Sequence, residues 1–249
     1  MSATIKRFIG DAVLHRDEIG ESPCQVHSFQ RASELYFLKT SPAVYASTTY
    51  SVLREAAVLQ WLSGKVNVPE VVLTAQDAQQ EYMITRAVPG VPLAALLEDE
   101  DRALAVFQEA LRQLQAIDIS GCPFDSSAAV RLRELAFLVS RGLIDEDYDL
   151  SPWPGLHTPQ DLLDRLHATI PDEELVFSHG DLGDSNIFVH NNELHFIDLG
   201  RGGKADRWLD IAFAHRNLRE EVSAAAAARL LRSDAAAKRA FFEQLDELF

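Results

Sequence analysis

Cysteine is nearly missing: Cys24 and Cys122 are the only two in 249 residues. Thiols so far apart form neither a disulfide framework nor a metal-ligand spacing, so both are expected to be small buried or half-buried residues. No run of about 18 apolar residues occurs, which leaves no candidate membrane-spanning helix. The opening MSATIKRFIGDAVL lacks the apolar block of a signal peptide, so the cytoplasm is the expected compartment. Basic residues are also scarce. Lys and Arg number 23 against 38 Asp and Glu, a net charge of −15. Such a chain repels DNA, RNA and anionic lipid. Its charge serves solubility or meets a cationic partner. Internal repeats are absent, and the one low-complexity stretch, Ala224 to Ala228, reads as helix filler.

What is present is ordinary in bulk. Hydrophobic residues make up 47% and charged residues 24%, the profile of a globular protein. The length suits one large domain or two lobes. QVHSF and ELYFLK have strand composition. In the second, alternation puts Leu35, Phe37 and Lys39 on one face and Tyr36 and Leu38 on the other. STTYSVLREAAVLQWLSG, with Ser/Thr caps, apolar Val52, Ala56 and Leu59 and a terminal Gly64, predicts a helix. EYMIT is another strand. RAVPGVP, Arg86 to Pro92, is the best linker candidate. Beyond it DEDRALAVFQEALRQLQAI, VRLRELAFLVSRGLI and TPQDLLDRLHATI are helical, and Asp145 to Pro159 is a polar, proline-rich loop. The expectation is an α+β chain. Residues 1–87 form an antiparallel-sheet lobe with one helix, and residues 88–249 form a mainly helical lobe carrying one inserted strand pair.

Within ELVFSHGDLGDSNIFV, polar Ser178, His179, Asp181 and Asn186 interrupt two apolar strand patterns. Phosphoryl transfer needs a carboxylate to orient the attacking hydroxyl, metal ligands beside the phosphates and a cation on the nucleotide. His179-x-Asp181-x-x-x-x-Asn186 has the spacing of a kinase catalytic loop, and Asp198-Leu199-Gly200 stands where a kinase has its D-F-G. The intervening NIFVHNNELHFID is a hairpin by pattern, turning at Asn191-Asn192, and returns Asp198 towards Asn186. Two such oxygen ligands suit Mg²⁺. Each piece alone is a common turn or cap device. In this order, on strand ends, they form a kinase constellation. Upstream, Lys39 closes its strand and Glu55 follows 16 residues later on the predicted helix, as a phosphate lysine and its orienting glutamate require. A Gly-rich phosphate loop is missing. IGESPCQVHSF has only Gly20, so phosphate contacts there fall to Ser22 and nearby backbone N–H groups.

These residues, with FIDLGRGGKADRWLDIA, TTYSVLREAAVLQWL and LDELF, resemble the aminoglycoside phosphotransferase family, and within it the 3′-phosphotransferases, over nearly the whole chain. The resemblance implies a bilobal protein-kinase-like fold. It also implies ATP- and Mg²⁺-dependent phosphorylation of the 3′-hydroxyl of kanamycin- or neomycin-type antibiotics, and hence resistance. It makes Asp181 the catalytic carboxylate, with Arg201 near the reacting groups. Asn186 and Asp198 become metal ligands, Lys39 the α/β-phosphate ligand and Glu55 its holder. Phe37 would stack on adenine, and the backbone of Thr85 to Ala87 would hydrogen-bond the base. Asp210 and His179 would support the catalytic loop. For the ammonium groups of the substrate it points to Asp145, Asp149, Glu220, Asp246, Glu247 and the carboxylate of Phe249. LSPWPGLHTP is shorter and less acidic than in some relatives, which bears on the drug spectrum. A monomer or weak dimer is expected. Two other readings stay open: a kinase of another small molecule on the same fold, opposed by LDELF, and a non-catalytic nucleotide-binding module, opposed by the intact Lys39, Glu55, Asp181, Asn186 and Asp198.

Overall fold

The computed structural model describes residues 1–17, 22–144, 148–231 and 235–249. Gly20 and Asp145, both singled out above, lie outside them. In chain order the elements are α1 (Ala3–Ile9), β1 (His15–Asp17), β2 (Gln25–Arg31), β3 (Glu34–Pro42), α2 (Val52–Leu62), β4 (Val71–Gln76), β5 (Gln80–Arg86), β6 (Val91–Pro92), α3 (Glu100–Gln115), α4 (Ala128–Arg141), α5 (Pro159–Ala168), β7 (Leu175–Ser178), β8 (Ile187–His190), β9 (Glu193–Phe196), β10 (Gly203–Asp206), α6 (Trp208–Asn217), α7 (Ala224–Leu230) and α8 (Ala236–Asp246). Contacts divide the chain into two compact units. The first is Met1–Pro92 with Asn186–Gly202, and the second is Leu93–Ser185 with Gly203–Phe249. The division thus differs from a single cut after residue 87. Val91 pairs with Val189 and the Phe196 N–H bonds to the Asn67 carbonyl, so the hairpin belongs with the first unit.

In the first unit a five-stranded antiparallel sheet has the order β1-β2-β3-β5-β4. The alternation predicted for β3 is realised: Tyr36 and Leu38 are buried, while Phe37 and Lys39 are half-buried on the other face. Tyr36 and Leu38 join Phe29, Tyr82 and Ile84 in a core that Ile5 and Ile9 of α1 complete. Phe29 stacks on Tyr36 at 5.5 Å and Phe8 meets Tyr36 edge-on at 5.5 Å. The one-helix expectation is therefore corrected, because α1 is a second helix. It spans 7 residues and buries only Ile5 and Ile9, one turn apart. Its stability comes from this docking rather than from its own pattern. Opposite the core, α2 begins at Ser51, whose side chain accepts from the Arg54 N–H and donates to Glu81 on β5 at 2.6 Å. The cap of the helix is thus fastened to the sheet.

The three-stranded sheet β6-β8-β9 also belongs to the first unit. Asn191 and Asn192 both take positive φ, 49° and 65°, as the two-residue turn of a tight hairpin requires. The second unit is mainly helical. α3 buries Ala103, Leu104, Phe107, Ala110, Leu111 and Leu114 along one stripe. α5 starts with a capping box of Thr158 and Asp161 and Pro159 in its first turn. α6 packs on α8, which buries Phe241, Phe242 and Leu245. Its one sheet among the described residues is the pair β7 and β10, with Ser178 opposite Gly203. No helix among the described residues is long and apolar enough to cross a membrane.

Candidate active site

Strand β3 carries Lys39 beside Met83 of β5 and Val26 of β2, and α2 brings Glu55 across from it. The ammonium lies 2.8 Å from Glu55 Oε2 and 2.5 Å from Asp198 Oδ1. Glu55 is buried, whereas the Asp198 side chain is 46% exposed. One lysine therefore spans a fixed inner carboxylate and an outer one open to solvent. Burial pulls the Lys39 ammonium down, but Asp198 and Glu55 outweigh it and hold it above its ordinary value. Burial raises the Glu55 carboxyl, with Lys39 opposing. Pairing of this kind is what keeps two buried charges ionised.

Asp198 follows β9, and Asn186 precedes β8. The Ile197 N–H donates to the Asn186 carbonyl at 3.1 Å, so the hairpin places the two candidate metal ligands side by side. Asp198 has φ +56°, a strained value for a residue other than glycine, and such outliers cluster at functional sites. The glycine of Asp-Leu-Gly is dictated by space. A Cβ on Gly200 would lie 2.8 Å from the Thr49 carbonyl oxygen. Arg54 extends the same anchoring by donating to the carbonyls of Gly200 and, at 3.0 Å, Gly202. Among the described residues no cluster of three or more His, Cys, Asp or Glu could hold a metal. A pair of oxygen donors, one of them a solvent-facing carboxylate, fits an ion such as Mg²⁺ that takes its other ligands from water and phosphate.

Phe37 faces Thr85 across the β3–β5 ladder, which puts the proposed stacking ring beside the start of the 85–87 segment. The Ala87 N–H, however, donates to the Leu35 carbonyl at 3.0 Å. The ladder runs two residues past the EYMIT strand and occupies that donor. Ser22 is exposed and its hydroxyl bonds to Cys24, whose thiol burial pushes up despite nearby Lys39. Arg201 Nη2 bonds to the Tyr50 hydroxyl at 3.2 Å, and its guanidinium lies over the Tyr50 ring.

In the second unit, Asp181 sits on a loop held by Asp210 of α6. One oxygen of Asp210 accepts from Ser178 Oγ at 2.7 Å and the Gly180 N–H at 2.9 Å, and the other from the His179 N–H at 2.7 Å. Asp210 and His179 are buried and Asp181 is half-buried. Gly180 has φ +83°, a left-handed turn that suits glycine.

Of the acids expected to face ammonium groups, Asp149 and Glu247 meet: the Asp149 N–H donates to Glu247 Oε1 at 2.8 Å. Burial raises the Glu247 carboxyl, and hydrogen bonds from Ser151 lower that of Asp149. Asp246 pairs with Arg216 at 2.6 Å, and Glu220 with Arg219 at 2.8 Å. Arg216 was not singled out in the sequence. Burial lowers its guanidinium, but Asp246, Glu220 and Asp181 hold it above its ordinary value. The acids and Asp181 therefore share one electrostatic neighbourhood. Glu220 lies on a π-helical turn, Leu218–Val222, a distortion no local pattern announces.

The α+β fold that carries the Lys39–Glu55 pair and the Asp181 loop is that of protein-kinase-like phosphotransferases. The chain belongs to the phosphotransferase enzyme family, whose profile matches residues 27–245. It is 45% identical over 252 residues to the aminoglycoside 3′-phosphotransferase of Acinetobacter baumannii, covering 98% of this chain and 97% of that protein. It is 38% identical to the corresponding Enterococcus faecalis protein over 229 residues, 89% and 86% of the two chains. The crystal structure of an aminoglycoside-3′-phosphotransferase of type VIII superposes with a TM-score of 0.85 at 31% identity, covering 99% and 97%.

Proposed function

We propose that this chain phosphorylates the 3′-hydroxyl of aminoglycoside antibiotics with ATP and so confers resistance. The observation that carries the chemistry is Lys39 held between Glu55 and Asp198. The substrate class follows from the relatives and from the acidic neighbourhood around Asp149, Glu220, Asp246 and Glu247, which suits a polycation.

In this reading Lys39 meets the α- and β-phosphates, and Glu55 fixes its position. Phe37 and Thr85 flank the base. The Ala87 N–H exchanges its Leu35 partner when it serves the nucleotide, and Ser22 lies on the phosphate side. Asp181 accepts the proton of the 3′-hydroxyl as that oxygen attacks the γ-phosphorus and the bond to the β-phosphate oxygen breaks. Arg201 offsets charge on the transferring group once it releases Tyr50. Asn186 and Asp198 would hold Mg²⁺, which neutralises phosphate charge when bound. The acids align the drug so that only one hydroxyl reaches Asp181. Asp145 would join them.

The test is ADP release by the purified protein with ATP and either kanamycin, choline or a macrolide. Turnover with kanamycin at least about 100-fold above the others supports the reading, since misplacement of about 1 Å costs that much. Turnover with choline alone moves the chain to the rival kinase class. Turnover with none makes it a binding module.

A further inference from the structure

Arg131 is placed against two general preferences. It stands in the first turn of α4, where the positive end of the helix dipole disfavours a cation. Its side chain is also among the largest fully buried ones, with the residue 1% exposed, and burying a charge is costly. What it holds explains why it is there. Its Nη1 donates to the Gly180 carbonyl at 3.2 Å. Its Cζ lies 4.8 Å from the centroid of the Phe249 ring, within cation–π range.

The Gly180 carbonyl belongs to the peptide that joins Gly180 to Asp181. A guanidinium on that oxygen fixes the plane from which the Asp181 side chain departs. Asp210 holds the other side of Gly180 through its N–H. The loop is therefore gripped by two buried groups of opposite charge, one on each side of a left-handed glycine. On its far side Arg131 carries Phe249, whose N–H bonds to the Asp246 carbonyl at 3.0 Å, in the segment that holds the acids Asp246 and Glu247.

We propose that Arg131 is a positioning residue that couples the seating of Phe249 to the geometry of the Asp181 loop, so that the acidic segment and the base are set together. This rests on the reading of Asp181 as the base of aminoglycoside phosphorylation. It adds that Phe249 acts on turnover through its ring, apart from any part it plays in holding the drug.

The experiment is steady-state kinetics of Arg131→Met, Arg131→Lys, Phe249→Leu and the double variant Arg131→Met/Phe249→Leu, with ATP and kanamycin. Rates are expressed per folded enzyme by circular dichroism and thermal melting. Arg131→Met is expected to lower kcat about 100-fold, the cost of a roughly 1 Å misplacement, with the KM for ATP within about twofold. Arg131→Lys, which keeps the charge without the planar fork, is expected to lose about 10-fold. Phe249→Leu keeps backbone and bulk and is expected to lose about threefold to tenfold in kcat, and the double variant to be no worse than Arg131→Met alone. An unchanged kcat per folded enzyme in Arg131→Met, or a double loss equal to the product of the single losses, overturns the coupling. If Arg131→Met does not fold, Phe249→Leu and Arg131→Lys decide, and unchanged kcat in both overturns it. If the unsubstituted protein does not phosphorylate kanamycin, the functional reading fails and the coupling with it. If it does and the variants behave independently, only the coupling falls.

Discussion

The ammonium of Lys39 stands 2.8 Å from the carboxylate of Glu55, a pair joining β3 to α2 with both side chains largely shielded from water. Removing one partner strands the other. Lys39→Met is expected to destabilise the protein by about 3–5 kcal/mol, the usual cost of breaking a buried pair from one side. Lys39→Met/Glu55→Gln should regain much of that stability and none of the turnover. Urea unfolding and kinetics on the same samples check both halves. A double variant as active as the parent would remove Lys39 from the chemistry.

Asp181→Asn keeps the shape of the loop that Asp210 and Arg131 hold and removes only the proposed proton acceptor. It is expected to lower kcat by about 10²–10⁴ with the melting temperature and ATP affinity little changed. Near-normal kcat would show that another group takes the proton.

Asp198→Ala and Asn186→Ala are expected to raise the Mg²⁺ concentration for half-maximal activity, Asp198→Ala more because it removes a charge. Asp198→Ala also takes one of the two carboxylates from Lys39, so the KM for ATP should rise with it. Mg²⁺ titration at fixed ATP checks the order, and equal curves for both variants and the parent would reject these ligands.

Tyr82 is buried in the core of the first unit and donates to Asp77 Oδ2 at 2.7 Å. Burial, and then this hydrogen bond, push its hydroxyl up to about 12. Because the folded value lies above the unfolded one, the group stabilises the protein fully below about pH 10 and loses that contribution as pH rises to about 12. Tyr82→Phe should therefore lose less melting temperature than the parent across that interval. Phenolate absorbance of the parent should show a late-titrating tyrosine that the variant lacks. Parallel melting curves for the two proteins would contradict the assignment.

The parts of the fold read most directly from the sequence are those set by local chemistry. The β3 alternation, the Ser-capped α2 and the Asn191-Asn192 hairpin each declare themselves within a dozen residues, and the hairpin alone is enough to bring Asn186 beside Asp198. What stayed hidden depends on partners remote in the chain. α1 carries Ile5, Phe8 and Ile9 at helical spacing but is only 7 residues long, too short to stand as a helix without the sheet it docks on, and β10 is a strand because β7 lies beside it. The ladder bond that occupies the Ala87 N–H joins residues that the sequence reading kept apart, the strand carbonyl of Leu35 and a linker. Arg216 and Arg131 look like surface arginines on helices. Only folding reveals that one sits among acids and the other against the Asp181 loop.

The central claim is that Asp181 acts on one hydroxyl of an aminoglycoside. The most direct measurement is phosphorus–proton NMR of the product made from ATP and kanamycin, with a 3′-deoxy aminoglycoside run alongside. The account expects phosphate on the 3′-oxygen, no turnover of the deoxy compound although it binds, and loss of the product signal with Asp181→Asn. Phosphate at another position, or turnover of the deoxy compound, would contradict it.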